Sequence, residues 1–190
     1  LTSIQITSKI AAMDAADNTS VQKQLYQISR HTAGIMEKMS DLVWVVNPAN
    51  DSLSKLIYRI KEYAVDILEP SGIELIYEEA PNSEDIKLNP EQRKNIYLIA
   101  KETLNNTVKY SDATQVSIAF SEKDQLLKMV ILDNGKGFDP ATIKMGNGLK
   151  NLSVRAEEIN ARLTLNSEKT KGTSVTILLQ IDSAPSKQMN

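Results

Sequence analysis

The stretch from Leu1 to about Val46 contains no proline and a single glycine, Gly34, and its apolar positions keep a steady helical beat. Val21, Leu25, Ile28, Thr32, Ile35, Met39, Leu42 and Val46 are separated alternately by four and three residues. Leu1, Ile4, Ser8, Ala11 and Ala15 alternate by three and four. That spacing runs one seam along an α-helix, the pattern of packed hairpins and coiled coils. Asp17-Asn18-Thr19-Ser20 interrupts the beat with turn residues, and any of the last three can cap a second helix. The region therefore reads as a helical hairpin. Two helices alone bury little surface, so a second copy completing a dimeric four-helix bundle is the expected partner. Packing of the hairpin on the rest of its own chain is the alternative.

Asn47-Pro48-Ala49-Asn50-Asp51-Ser52 marks a boundary, where proline stops one helix and Asp51 or Ser52 can cap the next. Beyond it the texture is mixed. Leu53, Leu56, Ile60, Ala64 and Ile67 share one face of a helix that Pro70-Ser71-Gly72 ends. Residues 73–77 alternate as a strand. Pro90 opens a long helix through Tyr110, with Ile96, Ile99, Ala100, Thr103 and Leu104 as its inward set. Residues 116–120 and 126–132 read as strands joined by a turn at Glu122-Lys123-Asp124. A helix over 148–160 and a hairpin of 163–165 with 173–179 follow. The fold class is α+β: a helical hairpin, then helices layered on a mixed, largely antiparallel sheet. The domain boundaries expected are 1–48, 49–182 and a frayed polar tail, 183–190.

Composition excludes several functions. Lys and Arg number 22 against 24 Asp and Glu, so the basic footprint of a nucleic-acid or membrane-surface binder is missing. The 190 residues hold no cysteine and one histidine, which excludes disulfides, thiol chemistry and multi-histidine metal sites. The longest apolar run, Leu42 to Val46, falls far short of the roughly 20 residues that span a bilayer. No signal-peptide pattern opens the chain, and the expectation is a soluble protein of a reducing compartment.

Three clusters carry chemistry. Glu102, Asn106 and Lys109 share one face of the long helix, with Asn105 beside them. An acid, a neutral oxygen ligand and an ammonium on one face suit hydrated magnesium and a polyphosphate, although a solvated helix face would look similar. Asp133-Asn134-Gly135-Lys136-Gly137 follows a buried strand. Its glycines permit a sharp turn and close approach of a ligand, and Asp133 can accept a hydrogen bond from an exocyclic amine. Asn-Gly is equally a hairpin-turn signal. Gly146-Asn147-Gly148-Leu149 opens a helix and exposes free backbone N–H groups to an anion. None of these is a Walker P-loop.

Taken in order, these clusters resemble the ATPase domain shared by sensor histidine kinases, gyrase-type topoisomerases and Hsp90-type chaperones. KETLNNTVKYS, residues 101–111, is similar to the family's N box; DNGKG, residues 133–137, to its G1 box; GNGL, residues 146–149, to its G2 box. Gly172-Thr173 matches the closing Gly-Thr. The short lid over 138–145, GLKNLSVRAEEI after it, and WVVNPAND at 44–51 resemble the histidine kinases with a compact dimerisation hairpin and DNA-binding response-regulator partners. The resemblance reaches to about Ile181. It implies ATP and Mg2+ as cofactors, with Asn106 as metal ligand, Glu102 orienting the metal's water, and Lys109 on phosphate. Asn105 is counted among the nucleotide contacts. Asp133 would read the adenine amine beside Thr173, while Gly135, Gly137, Gly146, Gly148 and Leu149 shape the pocket. Tyr110 departs from the family, which often has histidine there; a tyrosine hydrogen-bonds but is no cation at neutral pH.

The resemblance further implies a homodimer that passes the γ-phosphoryl of ATP to a histidine and then to an aspartate of a response regulator, in the cytoplasmic portion of a bacterial inner-membrane sensor. Nucleic acid is not a direct partner, and any membrane link lies upstream. The single histidine, His31, sits mid-helix between Arg30 and Thr32, and no histidine in the chain precedes an acid. The expectation is that the acceptor lies before Leu1 and that these residues alone do not self-phosphorylate. Two other readings remain: a serine kinase of the anti-sigma type, and a dimerising scaffold with a vestigial nucleotide pocket.

Overall fold

A computed structural model describes residues 1–14, 19–78, 86–139 and 147–181. The expected turn residues Asp17 and Asn18, the lid from 140 to 145, Gly146 and the tail from 183 lie outside the described residues. The chain divides into two compact units, Leu1–Asn47 and Pro48–Asn190.

The first unit is a helical hairpin. Helix α1 spans Thr2–Asp14 and α2 spans Thr19–Val46. They run antiparallel: the Gln22 side chain donates to the Ala12 carbonyl at 3.2 Å, and the Thr2 hydroxyl lies 3.9 Å from the Met36 sulfur. Small residues make the close approach. Ser8 and Ala12 of α1 and Ser29 and Thr32 of α2 are buried. The larger apolar residues point elsewhere: Ile4, Ile10, Val21, Ile28, Ile35 and Leu42 are each 40% exposed or more. Of the expected α2 seam only Thr32 is buried, its hydroxyl donating to the Ile28 carbonyl at 2.8 Å. The periodicity is therefore real, but α1 does not bury it, because α1 offers Ser and Ala where Leu or Ile would be needed to fill a seam.

The second unit is a sheet covered by helices. Helix α3, Leu53–Leu68, starts where the Ser52 hydroxyl accepts from the Lys55 N–H, and it buries Leu53, Leu56, Ile57, Ile60, Ala64 and Leu68. Gly72 leaves the helical region in the left-handed conformation. Helix α4, Pro90–Tyr110, has a full capping box between Asn89 and Gln92. The strands are β1 (Glu74–Glu78), β2 (Gln115–Lys123), β3 (Leu126–Asp133), β4 (Arg162–Glu168) and β5 (Gly172–Gln180), and α5 spans Asn147–Glu158. Their order across the sheet is β1-β2-β3-β5-β4. Among the described strands only β1 and β2 run parallel, as α4 between them requires.

Alternation decides which face is inside. Ile118 pairs with Ile131, which pairs with Val175; Phe120 pairs with Met129, which pairs with Ile177. All six are buried, forming one apolar sheet face against α3, α4 and α5. The β2–β3 turn lies one residue later than the sequence suggests. Asp124 and Gln125 both take positive φ, 53° and 62°, the mirror-type turn that matches the twist of a two-residue hairpin. Helix α5 stops at Glu158 because Asn160 turns left-handed at φ 53°.

Candidate functional site

Helix α4 presents two neighbouring stripes toward one cavity. Thr103, Thr107 and Ser111 are four apart and buried; the Thr103 and Ser111 hydroxyls donate to the Ile99 and Thr107 carbonyls one turn back, while the Thr107 hydroxyl stands 3.3 Å from the Thr103 carbonyl. Glu102, Asn106 and Lys109 form the adjacent stripe, and all three line the cavity, whose volume is about 490 Å³. That size is typical of small-molecule sites. Asn105 lies on neither stripe. Its amide donates to the Tyr63 hydroxyl at 2.6 Å and the Lys101 carbonyl at 2.8 Å, and it does not line the cavity. One residue is about 100° of helix turn, enough to exchange a pocket for a packing contact with α3.

Asp133 ends β3 on the buried face and is 4% exposed. Its Oδ1 accepts from the Gly135 N–H at 2.9 Å and the Thr173 N–H at 3.3 Å, and Oδ2 accepts from the Thr107 hydroxyl at 3.3 Å. A buried carboxylate needs such donors. The chain after Asp133 does not turn back as an Asn-Gly hairpin. Asn134 instead accepts from the Thr114 and Gln115 N–H groups, each at 3.0 Å, and closes the gap between α4 and β2. Gly135 packs where a Cβ would overlap the Ser111 carbonyl. It lies behind the cavity wall rather than in it. Gly137 lines the cavity at φ 55°, with the Glu168 carbonyl where a side chain would begin.

The β4–β5 turn braces this loop. The Thr170 N–H donates to the Lys136 carbonyl at 2.7 Å, and the Phe138 N–H to the Ser167 hydroxyl at 2.9 Å. Ser167 in turn shares a hydrogen bond with the Thr173 hydroxyl at 2.9 Å. Gly148, in the first turn of α5, lets that helix start directly against Glu102; a Cβ there would overlap the Glu102 carboxylate. Leu149, Leu152, Leu165 and Val175 supply apolar walls, and Lys109 and the exposed Tyr110 stand at one side.

The structure thus brings Glu102, Asn106, Lys109, Asp133, Gly137, Gly148, Leu149 and Thr173 to one cavity. Asn105 and Gly135 support it from outside, and Gly146 is not among the described residues. Thr103, Thr107, Ser111 and Phe138 also line the cavity. The hydroxyls four apart on α4 were the legible signal for the first three; nothing local marks Phe138. Among the described residues no group of three or more His, Cys, Asp or Glu could hold a metal. A metal here would rest on the Asn106 amide oxygen together with water and a ligand's own oxygens, which suits a hard, hydrated cation such as Mg2+. The donor set and the glycine cradles at Gly137 and Gly148 fit a nucleotide with such an ion.

Residues 91–183 match the family of histidine kinase-, DNA gyrase B- and HSP90-like ATPases. Over 180 residues, 94% of the chain, it is 27% identical to the signal transduction histidine-protein kinase/phosphatase UhpB of Salmonella typhimurium, covering 35% of that protein. Residues 91–183 thus form an ATPase domain of this family. The chain is also 29% identical over 119 residues to the sensor protein VraS of Staphylococcus aureus, covering 62% of the chain and 33% of VraS. It spans about a third of the length of both relatives. Its fold is shared with the Acinetobacter baumannii histidine kinase AdeS, at TM-score 0.62 and 14% identity over 94% of this chain and 96% of that one. Full-length ShkA, solved in complex with AMPPNP, matches at TM-score 0.64 and 14% identity over 89% of this chain and 40% of ShkA. A domain of this family binds ATP. Among the described residues no helix is long and apolar enough to cross a membrane.

Proposed function

We propose that this chain binds Mg-ATP so that the intact protein transfers the γ-phosphoryl group to a histidine, from which it passes to an aspartate of a DNA-binding response regulator. The observation that carries the reading is one cavity with an acceptor-only carboxylate, Asp133, and an oxygen-ligand and ammonium stripe, Asn106 and Lys109. Asp133 accepts from the exocyclic amine of adenine, and Thr173 flanks it. Lys109 reaches toward phosphate oxygens. The Asn106 amide oxygen is the protein's ligand to Mg2+, with the Glu102 carboxylate beside it to orient metal-bound water. Bound there, Mg2+ would neutralise phosphate charge; phosphoryl transfer depends mainly on such neutralisation and on positioning.

The exposed α2 seam supports a second copy of the chain as the hairpin's partner, in a four-helix bundle. Sedimentation equilibrium should give twice the mass of the chain, 21.1 kDa, and a monomer at tens of micromolar would overturn the bundle.

The intact kinase, incubated with γ-labelled ATP, should gain acid-labile, base-stable label that moves to a purified response regulator. Acid-stable label on serine would instead establish the anti-sigma type of kinase. The heptad hairpin ahead of the ATPase domain favours the histidine route, since a serine kinase has no need of a phosphoacceptor bundle.

A further inference from the structure

Thr107 is 3% exposed, yet it lines the cavity. Its hydroxyl lies 3.3 Å from the Thr103 carbonyl and 3.3 Å from Asp133 Oδ2. A helical threonine ordinarily gives its one hydrogen to the carbonyl one turn back, as Thr103 does to Ile99 at 2.9 Å. At Thr107 a carboxylate competes at equal distance. A charged acceptor makes the stronger hydrogen bond, so the hydrogen goes to Asp133.

The consequence is a fully determined carboxylate. Oδ1 is held by two backbone N–H groups, those of Gly135 and Thr173. These two donors converge on one oxygen and leave the group free to pivot about it. Oδ2 has one side-chain donor, Thr107. A third donor on the second oxygen fixes the carboxylate plane, and with it the direction of the remaining Oδ2 lone pair.

We propose that Thr107 is a specificity-determining positioning residue: through its hydroxyl it aims Asp133 Oδ2 at the 6-amino group of adenine, and so sets the preference of the pocket for a 6-amino over a 6-oxo purine. This role rests on the reading of Asp133 as the base-recognising carboxylate. A 6-oxo group brings a lone pair where the amine brings a hydrogen, so an aimed carboxylate repels it. A carboxylate free to pivot turns aside and discriminates less.

The test compares the affinities of ATP and inosine triphosphate, which differ at that substituent and at the neighbouring ring nitrogen, by calorimetry in Mg2+ with the wild type and three variants. Wild type prefers ATP. Thr107→Ala, which removes the hydroxyl at a helix position where alanine is favoured, loses about tenfold of that preference, the worth of one hydrogen bond to a charged group. The loss falls on ATP, while the affinity for inosine triphosphate holds or rises. Thr107→Val, which keeps the shape, behaves as Thr107→Ala, and Thr107→Ser restores the wild-type ratio. A Thr107→Ala or Thr107→Val protein that keeps the full preference, or weakens both nucleotides equally, overturns the role while leaving the nucleotide site standing. So does a Thr107→Ser protein that loses the preference. A wild type with no preference between the two nucleotides removes instead the reading of Asp133 on which the role depends.

Discussion

Asn106→Ala should abolish the stabilisation of this protein by Mg-ATP. A ligand that binds only the folded state at a hundred times its dissociation constant stabilises by about 2.7 kcal/mol, so the wild type should melt several degrees higher with Mg-ATP present. Asn106 is the single neutral oxygen ligand on the cavity-facing stripe of α4, and among the described residues no acidic cluster stands ready to replace it. Losing that oxygen leaves the ion held by the nucleotide and water alone, which should weaken binding on the order of a hundredfold. The variant's own melting temperature without ligand should hardly change, because Asn106 is only partly buried and alanine is the better helix former. A variant that still melts higher with Mg-ATP by the wild-type increment would refute the metal assignment. Neighbouring Asn105→Ala should do the reverse: it breaks the tie to Tyr63 and lowers stability while leaving the metal site in place.

Gly172→Ala should damage the fold as well as the site. Gly172 has φ 83°, where a side chain is strained by about 1–3 kcal/mol. Its new Cβ would also fall within the Asp133 carbonyl oxygen, a backbone atom that no rotamer change can move away. Asp133 pairs directly with Thr173 in the β3–β5 ladder, so the two strands would have to part at the point where they hold the carboxylate. A destabilisation on the order of 3 kcal/mol is expected, read as a fall in melting temperature of about 10 °C. Base recognition should fail with it, because the Thr173 N–H is one of the donors on Asp133 Oδ1. A Gly172→Ala protein with unchanged melting temperature would show that the strand end has more freedom than its packing allows.

Much of this arrangement is written locally. The capping box at Asn89 and Gln92, the proline at position 90 and the apolar spacing through Leu104 fix α4 without reference to the rest of the chain. The glycines at 135, 137, 148 and 172 are equally legible as places of close backbone approach, and the structure finds a carbonyl or carboxylate against each of them. Helix α3 follows its spacing from Leu53 to Leu68 for the same reason. Local interactions over three or four residues carry that information.

Other features depend on what stands opposite. The seam of α2 is periodic in the sequence, yet α1 meets α2 through Ser8, Ala12, Ser29 and Thr32 and leaves Ile28 and Ile35 outside. Asn-Gly at 134–135 satisfies a hairpin signal, but Asn134 is taken by Thr114 and Gln115, some twenty residues earlier, and the turn does not form. Asn105 and Asn106 are one letter twice, and only the packing of α3 on α4 assigns one to Tyr63 and the other to the cavity. By itself, then, the sequence determined the elements, the glycine hinges and the kind of chemistry the site residues can perform, because propensity, capping and steric freedom act over one turn or one residue. The tertiary structure alone decided which faces meet: Thr107 and Asp133 are 26 residues apart, and their hydrogen bond exists only because the sheet register and the rotation of α4 bring them within 3.3 Å.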